Sequence, residues 1–181
     1  MRIPSTQYTT GAGPFGFYQL DTGPYGLAWG LDRVLYVGNI EQNGDFHALD
    51  LASNTKQVVA TLTARVYAAA PFDRTRMVVG VAGGEVKLVP VLGAVGTVTP
   101  LIKLADEITS IARDPWSGRV YASLANLDIV SFSSNGTDLQ TFQVAPALGR
   151  IALAPDGYLY HLTIGWPTEA EIVRWPLPDT L

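Results

Sequence analysis

Between residues 108 and 144 the apolar and polar positions fall into short runs separated by turn residues. Thr109 to Ala112 is a small-residue strand. Asp114-Pro115-Trp116-Ser117-Gly118 is a turn, with the aspartate able to bond its own backbone and the glycine free to take positive φ. Val120 to Leu124 is a second strand and Ile129 to Phe132 a third. Asn135-Gly136 signals a hairpin, and Leu139 to Val144 is a fourth strand. No window of a dozen residues anywhere in the chain carries a clean helical period. The pattern therefore predicts an all-β unit of strands joined by tight turns.

The unit repeats. The turn aspartate recurs as Asp32, Asp73, Asp114 and Asp156, at spacings of 41, 41 and 42. An arginine opening the second strand recurs as Arg33, Arg76 and Arg119. An acid opening the third recurs as Asp45, Glu85, Asp128 and Glu171. A period of roughly 40–45 residues with four strands per unit is the signature of a propeller blade. The expected fold is an all-β, four-bladed β-propeller of about 42 residues per blade. Residues 1–13 are a polar lead-in, and 14–181 form one domain with blades at about 25–62, 66–104, 108–144 and 149–181. The last copy ends without a fourth strand. Phe15 to Leu20 reads as an orphan fourth strand, placed to close the last blade and leave no open sheet edge.

Counted back from each turn aspartate, Ala28, Ala69, Ser110 and Ala152 form one column of the innermost strands. Gly30, Pro71, Ala112 and Ala154 form another. Side chains alternate with period two, so both columns are expected on one strand face. Small residues there suit the narrow axis of a four-bladed ring. Trp29, Leu35, Tyr36, Tyr121, Phe132, Leu159, Tyr160 and Trp175 are expected to pack blade against blade.

The segment ARDPWSGRVYASL (112–124), with its Asp-Pro turn, Gly and Val-Tyr strand, resembles propeller repeats of the NHL, YWTD, gluconolactonase-like and strictosidine-synthase-like families. LAPDGYLYHL (153–162) has the same form with a shorter turn. The resemblance implies a propeller. Its families include sugar lactonases, lyases and protein- or RNA-binding modules, so it leaves function open.

Composition narrows the choice. Charged residues are only 15% of the chain, while Gly (18) and Pro (12) are plentiful, as suits many turns. Net charge is −4 without a basic cluster, which argues against nucleic acid. There is no cysteine for a disulfide or thiolate ligand. No apolar run reaches the length of a signal peptide or membrane span, so a cytoplasmic location is the default expectation. Asn135-Gly136-Thr137 matches a glycosylation sequon, but reads better as the hairpin turn.

Loops from fourth to first strand and from second to third open on one propeller face, where ligands are expected. The polar and aromatic groups nominated there are Asn39, Glu41, Arg65, Glu107, Arg150, Trp166 and Glu169. Asp45, Glu85, Asp128 and Glu171 border the same face but stand too far from the axis to converge on one ion, so local bonds to backbone donors or an arginine are expected of them. No cofactor is expected, although backbone carbonyls along the channel could hold an ion such as Ca2+. His47 and His161 lie in different blades, and neither has a ligand-spaced carboxylate. His161 reads as a satisfied core residue. No nucleophile elbow or phosphate loop is present. The first reading is a binding module for a small molecule, glycan or protein, with no nucleic-acid or membrane partner, as a monomer or homodimer. The alternatives are a lactonase- or lyase-type enzyme with its site at the channel mouth, and half of an eight-bladed ring formed by two chains.

Overall fold

The computed structural model describes residues 24–39, 44–50, 53, 55–163 and 170–178. The proposed closing strand at 15–20, the lead-in, and the candidates Glu41, Trp166 and Glu169 lie outside the described residues.

The chain is an all-β, four-bladed β-propeller. Blade 1 contains β1 (Pro24–Trp29), β2 (Leu35–Asn39), β3 (Asp45–Asp50) and β4 (Thr55–Thr61). Blade 2 contains β5 (Val66–Pro71), β6 (Arg76–Val81), β7 (Glu85–Pro90) and β8 (Thr99–Lys103). Blade 3 contains β9 (Ile108–Arg113), β10 (Val120–Leu124), β11 (Asp128–Phe132) and β12 (Gln140–Val144). Blade 4 contains β13 (Gly149–Ala154), β14 (Tyr158–Thr163) and β15 (Ile172–Pro176). Every pairing is antiparallel and joins strands adjacent in sequence.

The turn aspartates explain why each blade folds back where it does. In all four blades the carboxylate accepts the backbone N–H two residues on: Val34 at 3.1 Å, Thr75 at 2.8 Å, Trp116 at 2.9 Å and Tyr158 at 3.2 Å. This is the Asx turn expected of a short acceptor side chain. In blades 1 and 4 it also accepts a tyrosine hydroxyl four residues on, Asp32 from Tyr36 and Asp156 from Tyr160, both at 2.5 Å. The Asn135 carbonyl likewise accepts the Thr137 amide at 3.1 Å, with Gly136 at φ 78°, so this sequence is the hairpin turn.

The apolar residues gather between blades. Tyr36, Phe46 and Ala48 of blade 1 meet Met77, Val79 and Val89 of blade 2. Val78, Val86 and Leu88 on the opposite face of blade 2 meet Ile108, Ala122 and Phe132 of blade 3. Tyr121 and Ile129 of blade 3 meet Ile151 and Leu159 of blade 4, with Trp175 packed alongside. Burial of each large side chain is worth about 1.5–3 kcal/mol. The inner strands follow the same order: β1 packs on β5, β5 on β9 and β9 on β13. No comparable packing joins β13 to β1 among the described residues.

Two sequence expectations need correction. Tyr36, Tyr121, Phe132 and Leu159 are buried between blades, but Trp29 is 54% exposed and Tyr160 is only half-buried. The inner-strand columns also shift. Trp29 pairs with Leu35, Pro71 with Met77, Arg113 with Val120 and Leu153 with Leu159. These equivalent residues stand three, two, one and three places before the turn aspartates, because the aspartate does not keep one place within the turn. Counting from the aspartate therefore mixes the two faces. Nor does either face look down the axis as a whole: Ala68 and Ala70 pack toward blade 3, and Ala69 toward blade 1.

Candidate functional site

The loops that carry Arg65 and Glu107 meet at the blade 2–blade 3 end of the expected face. Thr61, Thr63, Ala64, Arg65, Tyr67, Ala82 and Glu107 line one cavity of about 660 Å³. Three segments build it. The first runs from β4 to β5, the second is the 3-10 turn Ala82–Gly84 between β6 and β7, and the third runs from β8 to β9. The Glu107 carboxylate fixes their relation, because its Oε1 accepts the Gly83 N–H at 2.9 Å. Gly83 sits at φ 74°, the left-handed conformation that glycine adopts without strain. The Ala82 N–H donates to the Arg65 carbonyl at 2.8 Å, tying the turn to the first loop as well.

Two features of this cavity bear on binding. Glu107 Oε2 is buried and has no hydrogen-bond partner among the described residues. A buried carboxylate oxygen left unmatched is costly unless something supplies a donor. Thr63, on the cavity wall, holds φ 57°, an uncommon conformation for a β-branched residue. Arg65 is exposed on the same wall. The cavity thus presents a guanidinium, a phenol and an unmatched carboxylate oxygen together.

Arg150 goes elsewhere. It stands on β13 and donates from Nη1 to the Thr109 carbonyl and, at 3.5 Å, to that of Tyr67. Gly26, Tyr67 and Thr109 mark register shifts in the inner strands of blades 1, 2 and 3. Such bulges turn backbone groups out of the ladder. Arg150 gathers two of the carbonyls thereby offered and helps wall an axial cavity of about 610 Å³, with Gly26, Leu27, Ala69, Ser110 and Ile151. Ser110 stitches the neighbouring junction: its Oγ accepts the Ile151 N–H at 3.1 Å. Asn39, the remaining described candidate, ends β2 opposite Pro24 and is buried. The structure therefore joins Arg65 with Glu107, sends Arg150 to the axis and keeps Asn39 inside.

Among the described residues, three of the four repeated third-strand acids make local bonds, but to neighbouring side chains and not to the backbone donors or arginine expected. Asp45 accepts the Thr61 hydroxyl at 2.7 Å, Glu85 pairs with Lys87 at 3.2 Å, and Asp128 accepts the Asn126 amide at 2.9 Å. Among the described residues no group of three or more acids and histidines is placed to hold a metal ion. His161 is fully buried beside Trp175, with ring centroids 6.1 Å apart. Neither ring nitrogen has a hydrogen-bond partner among the described residues, so it is a core histidine but not a satisfied one. Burial pushes its pKa below the ordinary value of 6.5.

Sequence reasoning passed over Tyr67 and Thr63, which carry no signature in a strand-and-turn pattern. It also passed over the opposite mouth. There Leu31, Pro71, Trp116 and Leu153 help line an apolar cavity of about 300 Å³, with Trp116 64% exposed. A tryptophan in a polar turn was the available signal.

No described helix is long and apolar enough to cross a membrane. No family model and no curated protein matches the sequence. Solved structures do. A gluconolactonase from Xanthomonas campestris superposes with a TM-score of 0.69 at 16% identity, over 86% of this chain and 57% of its own. A streptogramin B lyase gives 0.64 at 19% identity, over 92% of this chain and 58% of its own. The computationally designed Ika4 protein gives 0.65 at 15% identity, over 93% of this chain and 100% of its own. The chain thus spans little more than half the length of the gluconolactonase and lyase structures. At these identities the likeness is one of fold, and it agrees with blades of the gluconolactonase-like kind.

Proposed function

We propose that this propeller is a binding module whose ligand site is the cavity between Arg65 and Glu107. The observation that carries the reading is Glu107 Oε2, buried without a partner on the wall that also bears Arg65. A ligand donor placed there satisfies that oxygen, while Arg65 takes an acceptor group. Together they suit a small molecule of opposite charges, of the α-amino acid class, with Tyr67 supplying an aromatic wall. Calorimetric titration with a panel of free α-amino acids, using neutral monosaccharides as controls, tests this. Glu107→Gln should weaken binding about ten- to a hundredfold, the equivalent of a charge-assisted hydrogen bond. Val95→Ser, on a fully exposed residue that does not line the cavity, should leave it unchanged. Saturable binding that is indifferent to Glu107→Gln, or no binding across the panel, refutes the assignment.

The second reading is an enzyme of lactonase or lyase type. Its support is the fold shared with a gluconolactonase and a streptogramin B lyase. Turnover of gluconolactone or of a streptogramin B, with and without added divalent cation, decides it. Catalysis abolished by Glu107→Gln would move this reading ahead of the first.

A further inference from the structure

Each filled junction sets the forward side of one blade against the backward side of the next. Blade 1 on 2, 2 on 3 and 3 on 4 make three such junctions, each with its own apolar core. The backward side of blade 1 and the forward side of blade 4 are the two halves of another. Along β1 the backward side carries Leu27 and Trp29, 66% and 54% exposed, whereas Val37 and Leu49 farther out on that side are buried, so the open strip follows the inner strand. On blade 4 the forward side carries Leu162 and Ile172, 46% and 71% exposed. Ile111 and Ile151, on the backward sides of blades 3 and 4, are only 5% and 7% exposed.

We propose that a second copy of this chain covers both surfaces. Its blade 4 packs on blade 1 of the first chain, and its blade 1 packs on blade 4. Two observations and a symmetry argument select this occupant. The two exposed strips are complementary halves of a junction the chain already makes three times. Among the described residues they form no such junction within one chain, because β13 and β1 lack the packing that joins every other consecutive pair of inner strands. A twofold axis brings the forward half of each chain onto the backward half of the other, so the assembly closes at two chains. Both junctions then form in one association event, and the loss of translational freedom is incurred once for two interfaces. The result is a ring of eight blades.

Sedimentation equilibrium on the full chain tests the proposal. The expected mass is twice that of the chain. Trp29→Glu and Ile172→Glu each place a charge on one of the strips, and each should halve the mass while leaving the far-ultraviolet circular dichroism unchanged. Val95→Ser should remain a dimer. Because the chain has no cysteine, the double variant Leu27→Cys/Ala152→Cys gives a second readout. On oxidation it should form a covalent dimer that resists denaturant until reduced. A monomeric wild type overturns the proposal and leaves the strips to another occupant. So does a dimer that survives both glutamate substitutions, a disulfide formed within one chain, or a ladder of higher oligomers.

Discussion

Tyr36 ties blade 1 to blade 2 through one oxygen atom, and Tyr36→Phe removes that atom alone. The ring is fully buried and stacks on Phe46 at 5.6 Å between centroids, a contact phenylalanine keeps. Two hydrogen bonds are lost. The hydroxyl donates to Asp32 at 2.5 Å and accepts the Leu92 N–H of blade 2 at 2.9 Å. A bond to a charged acceptor is worth about 1.5–3 kcal/mol and a neutral one about 0.5–1.5. Asp32 is exposed, so its carboxylate regains water and still accepts the Val34 N–H. Leu92 is only half-exposed, so its amide recovers less. The expected net cost is about 2 kcal/mol. For a chain of this size that lowers Tm by roughly 4–8 °C. Urea unfolding followed by fluorescence measures it. Tyr160→Phe is the internal control, since Tyr160 donates to Asp156 at the same 2.5 Å but sits half-exposed in the last blade. It should lose at most about half as much. Equal losses at the two tyrosines would refute the claim that the inter-blade amide at Leu92 matters. The pH dependence gives a further check. Burial, and then the bond to Asp32, raises the Tyr36 phenol well above its usual 10. The folded state then holds its proton where the unfolded chain releases it, so stability falls as pH rises past 10. Tyr36→Phe removes its share of that fall and leaves the part due to Tyr121, whose phenol burial also raises.

His161 should give a pH effect of its own near neutrality. Its folded pKa lies below 6.5, so the unfolded chain binds the proton first. Stability is full above 6.5, declines as pH drops below it and levels off once the folded pKa is passed; His161→Phe should flatten the decline in urea midpoints taken between about pH 6.5 and 5. Leu159→Ala, at a fully buried site, should cost about 2–5 kcal/mol, against under about 0.5 for Val95→Ala on the surface, both read by chemical denaturation. Gly136→Ala places a side chain at φ 78° and against the Leu101 backbone, and should lose at least about 1–2 kcal/mol by the same assay.

The aspartates show which parts of this fold could be read from sequence. An Asx turn needs only the carboxylate and an amide two residues on, so Asp32, Asp73, Asp114 and Asp156 located the bends and, through them, the blades. Facing was not legible from the same residues. Whether Ala69 looks toward blade 1 or blade 3 depends on where in the turn the aspartate sits, and an Asx turn forms at any of several places. The site was legible in part for a similar reason. Arg65 and Glu107 occupy equivalent loops on one face, and topology alone brings such loops together. The destination of Arg150 depends on bulges at Tyr67 and Thr109. A bulge is a decision between strands, and neither strand records it alone.

The succession of cores, each shared by two sequence neighbours and no others, has a consequence for how such a chain assembles and evolves. Nearest-neighbour coupling makes stability close to a sum over repeats and their shared boundaries. Excising residues 149–178 would forfeit one boundary and leave the Phe46–Met77 and Val78–Phe132 clusters whole. Duplicating one repeat within the array would create one new boundary in return. A chain built this way can gain or lose a unit by genetic duplication or deletion without redesigning the units that remain.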